Sequence, residues 1–204
     1  MEPVTLTTER LRLRPFAPTD VDAVYLACQD PDIQFYTPVP TPYHRADAEK
    51  FVADTATKWA TDADYNLAAV RADDGVLVGA YGLTKRERGV YELGYWATKE
   101  QRGHGYSVEA AKALCDWSFA ALDVHRIEWW AMVGNAASRA VAERLGFAGP
   151  GSCAAAPSWA TGGWAGSSPA DTRSPPPRTI RSPRAGRASA RCGRPTSASP
   201  QSSP

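Results

Sequence analysis

The sequence predicts a mixed α/β domain in residues 1–147, in which helices flank a mostly antiparallel central sheet. Three observations support this fold class. Apolar and polar residues alternate in several short runs, as they do in half-buried strands. Other runs repeat apolar residues at helical spacing, and they separate the strand-like runs. The composition changes abruptly after Phe147, which marks the end of the domain.

The first half of the domain is predicted to contain one strand and two helices. Leu11 and Leu13 alternate with arginines, which indicates a strand with one buried face. Prolines at every second position around Val39 and Thr41 exclude a helix there. The predicted elements are a strand at 8–16, a helix at 20–29 with Thr19 as its N-cap, a proline-rich loop at 35–43 and a helix at 45–61.

The second half is predicted to be a three-stranded meander followed by a helix, a strand and a helix. The strand at 126–133 is apolar on both faces, which predicts a central position in the sheet. Asn135 is expected to cap the last helix, and Gly146 to end it. The predicted elements are strands at 65–71, 76–83 and 90–98, a helix at 107–122, a strand at 126–133 and a helix at 136–145.

Charge and composition divide the chain into a domain and a tail. Residues 1–147 carry a net charge of −5, which argues against a general nucleic-acid surface. Residues 148–204 contain seven Arg, one Asp and ten Pro, but only one Ile, Leu, Val or Phe, so a disordered tail is predicted. A basic nucleic-acid-binding arm and the product of a reading-frame change both fit this tail, and we favour the second.

Other classes of protein do not fit this sequence. The N-terminus has no charged-then-apolar signal pattern, and no apolar run is long enough to span a bilayer. The four cysteines are far apart and the three histidines do not cluster, so we expect no metal site. A cytoplasmic protein without a membrane partner is expected.

The strongest functional signal is the run Arg-Gly-His-Gly-Tyr-Ser at 102–107, between a strand-like and a helix-like segment. Two glycines before a helix place free N–H groups around one small volume and allow close approach, so a pyrophosphate site is predicted. A dinucleotide-binding oxidoreductase would carry such a loop in its first βαβ unit, and a P-loop NTPase would need Gly-Lys-Ser/Thr. Neither pattern is present.

Several ordered segments resemble the GNAT-type N-acetyltransferases, and in particular their RimJ/RimL-like branch. They are Thr-Glu-Arg-Leu-Arg-Leu-Arg at 8–14, Tyr-Glu-Leu-Gly-Tyr-Trp at 91–96, the glycine segment at 101–110, and the residues 125–128, 134–139 and 145–147. The resemblance implies an acyl-CoA N-acyltransferase fold. It also implies acetyl transfer from acetyl-coenzyme A (acetyl-CoA) to a primary amine, on a protein N-terminus or a small molecule. Members of the branch continue with two more strands after the Leu-Gly-Phe segment, and we expect this chain to lack them.

The resemblance also implies which residues bind the substrates. The backbone from Arg102 to Ser107 would hold the pyrophosphate, and the strand at 96–98 would pair with the pantetheine arm. Phe35 and Tyr36 would contact the amine acceptor. The implied cofactor-binding residues are Trp96, Ala97, Thr98, Arg102, Gly103, His104, Gly105, Tyr106, Ser107 and Asn135.

Two residues are candidates for catalysis. Glu92 stands in an otherwise apolar strand, where burial would favour its uncharged form and suit it to act as general base. An ordinary solvent-facing strand residue fits Glu92 equally well. Ser138 could protonate the leaving thiolate. No evident base activates a nucleophilic Ser or Cys, so we expect direct attack by the amine in a ternary complex rather than an acyl-enzyme.

Two further alternatives stay open at this point. A degenerate domain that binds acetyl-CoA without catalysis fits the same motifs. A sheet that lacks its last strands would expose an edge, so strand exchange in a homodimer is a second possibility.

Overall fold

The computed structural model describes residues 1–147 and the backbone of residues 152–153. Six strands form one sheet in the order of the sequence: β1 Leu6–Thr7, β2 Leu11–Arg14, β3 Leu67–Arg71, β4 Leu77–Glu87, β5 Val90–Ala97 and β6 Arg126–Trp129. All neighbouring strands in this sheet are antiparallel except β5 and β6, which are parallel. The predicted fold class is therefore confirmed.

Helices cover both faces of the sheet. They are α1 Val21–Ala27, α2 Pro31–Tyr36, α3 Arg45–Ala60, α4 Tyr106–Ala121 and α5 Ala136–Arg144. Leu67 and Ala69 on β3 belong to the core beneath α4, whereas Ala68 and Val70 belong to the core beneath α1, α2 and α3. Because successive strand residues point to opposite faces, the two cores lie on opposite sides of the sheet.

The region around α2 corrects two predictions. Residues 31–36 form a helix where the sequence analysis expects the start of a proline-rich loop. The side chain of Asp30 accepts a hydrogen bond from the N–H of Asp32 (2.9 Å), and Pro31 takes the first helical position, where proline is favoured.

Thr19 is not the N-cap of α1, because a 3-10 turn spans Pro18–Asp20 and α1 begins after Asp20.

The prediction of a central strand at 126–133 is wrong. The pairing with β5 stops at Trp129, and β6 is the last strand of the six-stranded sheet within the described residues. A separate short strand, β7 (Ala131–Met132), pairs in parallel with β8 (Ser152–Cys153). A central position in the sheet does not explain the apolar residues of this segment. Trp129 is apolar because it is buried beneath α5, whereas Val133 is 62% exposed.

The remaining local predictions agree with the structure. Asn135 caps α5 by accepting a hydrogen bond from the N–H of Ser138 (3.0 Å), and Gly146 follows the helix with a left-handed φ of 80°.

Burial raises the pKa of Cys28 to about 12, so this thiol is an apolar packing group at neutral pH. Within residues 1–147, none of the helices is both long and apolar enough to cross a membrane. The predicted tail, residues 148–204, lies outside the described residues except for β8.

Candidate functional site

The glycine loop at 102–107 connects β5 to α4 in the conformation that its sequence predicts. Gly103 (φ 83°) and Gly105 (φ 80°) have left-handed backbone angles, which glycine adopts without steric cost. Gly105 is the N-cap of α4, and its carbonyl accepts hydrogen bonds from the N–H groups of Val108 and Glu109 (3.1 and 3.2 Å). The first N–H groups of a helix have no acceptor within it, so those at the start of α4 face the volume in front of the helix.

Glu109 ties this loop to the N-terminal strands. Its carboxylate accepts hydrogen bonds from the Thr8 hydroxyl (2.6 Å), from the Arg10 N–H (2.9 Å) and from Arg10 Nε (2.8 Å). Arg10 also donates to the carbonyl of His104 (3.0 Å) and lies over the ring of Tyr106, which stacks on His104. This support was not predicted from the sequence, although an acidic residue in the first turn of a helix was a usable signal.

The side chain of Arg102 points to α2. Its Nη2 pairs with Asp30 (2.5 Å), its Nη1 pairs with Asp32 (3.1 Å), and its Nε donates to the carbonyl of Ala97 (3.2 Å). Arg102 therefore joins the glycine loop, the end of β5 and the start of α2. Its backbone belongs to the predicted phosphate loop, but its guanidinium is already bound to carboxylates.

β5 loses one of its two neighbours partway along its length. It pairs with β4 over its whole length, but it pairs with β6 only from Val90 to Leu93. Beyond that point β7 leaves the sheet and pairs with β8. In the described part of the chain, the edge of β5 from Gly94 to Ala97 is therefore left open on this side.

The end of β5 presents backbone groups at this open edge. Thr98 donates its N–H to β4 (2.9 Å), so the alternation of the ladder directs the N–H groups of Tyr95 and Ala97 to the opposite edge. The side chains of Trp96 and Thr98 are buried. Among the three predicted cofactor-binding residues of this segment, Ala97 therefore directs its backbone N–H to the open edge, whereas Trp96 and Thr98 direct theirs to β4.

Ser138 lies close to the same open edge and is held by three residues. Its hydroxyl accepts a hydrogen bond from Trp129 Nε1 (3.1 Å), and the Tyr95 hydroxyl contacts both Ser138 Oγ (2.9 Å) and Ser138 O (3.0 Å). Its N–H is bound by Asn135 in the helix cap. Burial raises the pKa of Tyr95 to about 12, so the phenol keeps its proton at neutral pH. Tyr95 and Trp129 were not among the predicted site residues.

Glu92 lies on the wall of a cavity of about 290 Å³ at the other end of β5. Its carboxylate pairs with Arg86, with Nε at 2.8 Å and Nη2 at 2.7 Å, and its side chain is 25% exposed. Glu128 and Trp130 complete the lining. Glu128 is the residue of β6 that lies directly opposite Glu92, and its buried carboxylate pairs with Arg126. Glu128 was not among the residues predicted from the sequence, although it also interrupts an apolar strand.

The remaining predicted residues include Phe35, Tyr36 and Ser107, which make side-chain contacts within the protein. Phe35 is 56% exposed at the end of α2 and makes an edge-to-face contact with Tyr36 (4.9 Å). The hydroxyl of Ser107 bonds with that of Tyr81 (2.9 Å), so its side chain is used inside the protein. Among the described residues, no group of three or more His, Cys, Asp or Glu side chains could hold a metal ion.

Comparison with known proteins identifies the family. The sequence model of the acetyltransferase (GNAT) domain matches residues 10–148. The probable N-acetyltransferase YjcK of Bacillus subtilis is 34% identical over 89 residues, which cover 42% of this chain and 49% of YjcK. This chain thus matches about half the length of that relative.

Solved structures share the fold. An acetyltransferase from Agrobacterium tumefaciens is 29% identical with a TM-score of 0.60, covering 72% of this chain and 84% of its own. Mycobacterium smegmatis RimJ in complex with CoA-disulfide is 22% identical with a TM-score of 0.64, covering 74% of this chain and 80% of its own. The second likeness supports the fold alone.

Proposed function

The chain belongs to the GNAT acetyltransferase family, and we propose that it transfers an acetyl group from acetyl-CoA to a primary amine within a ternary complex. One observation carries the proposal: the glycine loop at the start of α4 lies at the end of β5, next to the backbone edge that has no strand partner beyond Leu93 in the described chain. A ligand with a diphosphate at one end and an amide-containing arm at the other matches this combination.

The fit to acetyl-CoA can be argued from the residues present. The N–H groups of residues 103–107 and the dipole of α4 favour a diphosphate. The free edge at Tyr95 and Ala97 can bind the amide groups of the pantetheine arm as an added strand would be bound. One of these N–H groups would stabilise negative charge that develops on the thioester oxygen.

Two side chains are proposed for the proton transfers. Glu92 would accept a proton from the ammonium of the acceptor, directly or through water, once the exposed guanidinium of Arg86 has moved aside, and the free amine would then attack the thioester carbonyl. Ser138 would donate a proton to the leaving thiolate. Its hydroxyl accepts a hydrogen bond from Trp129 Nε1 and shares another with the Tyr95 hydroxyl, whose own proton is donated to the Ser138 carbonyl. The Ser138 proton would therefore move from its contact with Tyr95 to the thiolate. Phe35 and Tyr36 are proposed to contact the acceptor.

The binding half of the proposal is tested by titration calorimetry of the full chain with CoA. Gly105→Ala should weaken CoA binding at least tenfold, because a Cβ at φ 80° distorts the loop. Gly75→Ala, in the turn between β3 and β4, is the matched control: its φ is 75°, and a Cβ there meets no atom within 4 Å, compared with one ordinary contact at 3.6 Å (Arg10 Nη2) at Gly105. A correctly folded wild-type chain with no affinity for CoA would refute the proposal.

The catalytic half is tested by thiol release from acetyl-CoA over a panel of amines. Turnover by the wild-type chain is expected, and Glu92→Gln should lower kcat. Full turnover of Glu92→Gln at saturating amine would remove Glu92 from the mechanism. CoA binding without turnover on any amine would instead favour a non-catalytic acetyl-CoA-binding domain.

A further inference from the structure

The cavity beside Glu92 is built from a row of residues that crosses three strands. Thr84 on β4 pairs with Glu92 on β5, which pairs with Glu128 on β6. Directly opposite residues of neighbouring strands point to the same face of a sheet, so both carboxylates share one face. Gly94 is the next residue of β5 on that face, and a Cβ built on it would meet nothing within 4 Å. The lining of the cavity ends at Glu92 on this strand, and the same face of β5 is unobstructed at Gly94.

The two ion pairs of the cavity differ in how easily they can be exchanged. Arg86 and Glu92 are 51% and 25% exposed, and such a pair contributes little to stability. Glu128 is 2% exposed, so separating it from Arg126 would take the counter-charge away from a buried carboxylate at a large cost. A ligand can therefore displace Arg86 from Glu92, whereas Arg126 stays on Glu128.

We propose that this cavity binds the acceptor, and that the acceptor is a small amine with a carboxylate close to the amine. This inference rests on the proposed function. The ammonium replaces Arg86 at Glu92, with the charge of Glu128 beside it on the next strand. The displaced guanidinium of Arg86 then binds the carboxylate of the same ligand. Glu128 is thus a positioning residue, and Arg86 is a specificity-determining residue.

Charge balance and size support this class of ligand. Two arginines and two glutamates face or flank the cavity, so a zwitterion enters without leaving a charge unpaired. A planar guanidinium binds a carboxylate through two parallel hydrogen bonds, which an ammonium group cannot do. The volume of about 290 Å³ is at the lower end of ligand pockets, which span roughly 300–1,000 Å³. Two sources supply this chemistry: a free amino acid, and a peptide whose first residue is Asp or Glu.

The test compares kcat/KM of the full chain for matched acceptors in the thiol-release assay. One arm uses free amino acids and their carboxamides, and a second uses peptides that begin with Asp or Asn. In at least one arm, kcat/KM for the acceptor with the carboxylate should be at least about tenfold higher than kcat/KM for its amide. A tenfold ratio corresponds to about 1.4 kcal/mol. Arg86→Gln should reduce this ratio to about one. Arg88→Gln, a 94% exposed arginine of the same hairpin, should leave it unchanged.

Two further measurements separate this inference from the proposed function. Glu128→Gln should raise the KM for the acceptor several-fold with little change in kcat, whereas a purely structural role would lower only thermal stability. Calorimetric binding of the same acceptors in the presence of CoA reports on the cavity without turnover. If the chain bound the carboxylate acceptors more tightly than their amides but turned over none of them, only the proposed function would be refuted. Equal binding of acid and amide in both arms, or a ratio that survives Arg86→Gln, would refute this inference.

Discussion

The contact between β4 and β5 allows a prediction about Gly79, whose neighbour across the ladder is the end of β5. A Cβ built on Gly79 would lie 2.1 Å from the carbonyl oxygen of Trp96 and 3.0 Å from the Cα of Ala97. Ordinary carbon–oxygen contacts across a sheet are about 3.3 Å or longer. Gly79→Ala must therefore push β5 away from β4 by roughly 1 Å.

That displacement sets the expected loss of stability. A shift of about 1 Å would stretch the 2.9 Å hydrogen bond from Thr98 to Val78 beyond hydrogen-bond range. One or two lost ladder bonds cost about 1 kcal/mol each, and overpacking of a buried site adds about 1–3 kcal/mol. Gly79→Ala is expected to lower the free energy of unfolding by about 3–4 kcal/mol and Tm by roughly 10 °C.

Urea unfolding of the full chain measures this loss, and Gly94→Ala provides the matched control. Gly94 lies on β5, close to Trp96, but a Cβ there meets no atom within 4 Å. Its replacement should be neutral or up to about 1 kcal/mol stabilising, because alanine restricts the unfolded chain. If the two variants lost equal stability, or Gly79→Ala stayed within about 1 kcal/mol of wild type, the steric argument would be wrong.

Three other predictions concern the supports of the site. Burial by itself would raise the pKa of Glu109, but hydrogen bonds from Thr8 and Arg10 outweigh it and lower the pKa. The carboxylate thus contributes stability above its unfolded pKa, and the contribution is lost as pH falls through its lower folded pKa. Urea midpoints of Glu109→Gln should therefore vary less with pH than those of wild type below about pH 5. Asn135→Ala removes the cap of α5 and should cost about 1 kcal/mol in thermal unfolding, whereas Asn135→Asp keeps the cap. Tyr95→Phe removes a buried hydrogen bond to α5 and should cost about 1 kcal/mol in urea, together with a lower kcat in thiol release.

The parts of the fold that follow from local pattern could be predicted from the sequence. Leu11 and Leu13 are fully buried on β2, as their alternation with arginines indicates. The glycine loop also follows from local chemistry, because two left-handed residues before a helix need glycine at those positions. The helix α2 carried a comparable signal, since Asp30 and Pro31 are typical N-cap and N1 residues. The prolines that follow Tyr36 outweighed that signal in the prediction.

Features set by tertiary contacts could not be predicted in this way. The residues 127–133 are apolar except for Glu128, and nothing in their pattern indicates that pairing with β5 ends at Trp129. Alternation put Glu92 on one face of its strand without indicating what covers that face. The structure puts Arg86 and a cavity there, and the Glu92 side chain is 25% exposed. Its role as general base stays a prediction.

The position of Arg102 changes how the phosphate loop would work. A contact between its guanidinium and a phosphate requires it to leave Asp30, whose side chain is only 9% exposed. Leaving the buried carboxylate of Asp30 without its arginine destabilises the protein by more than a new, exposed ion pair with a phosphate would stabilise it. The loop would therefore bind a diphosphate through its N–H groups and the dipole of α4, for which the left-handed glycines suffice. Arg102 instead fixes the loop to α2, so a cofactor that orders the loop also orders the helix that carries Phe35 and Tyr36.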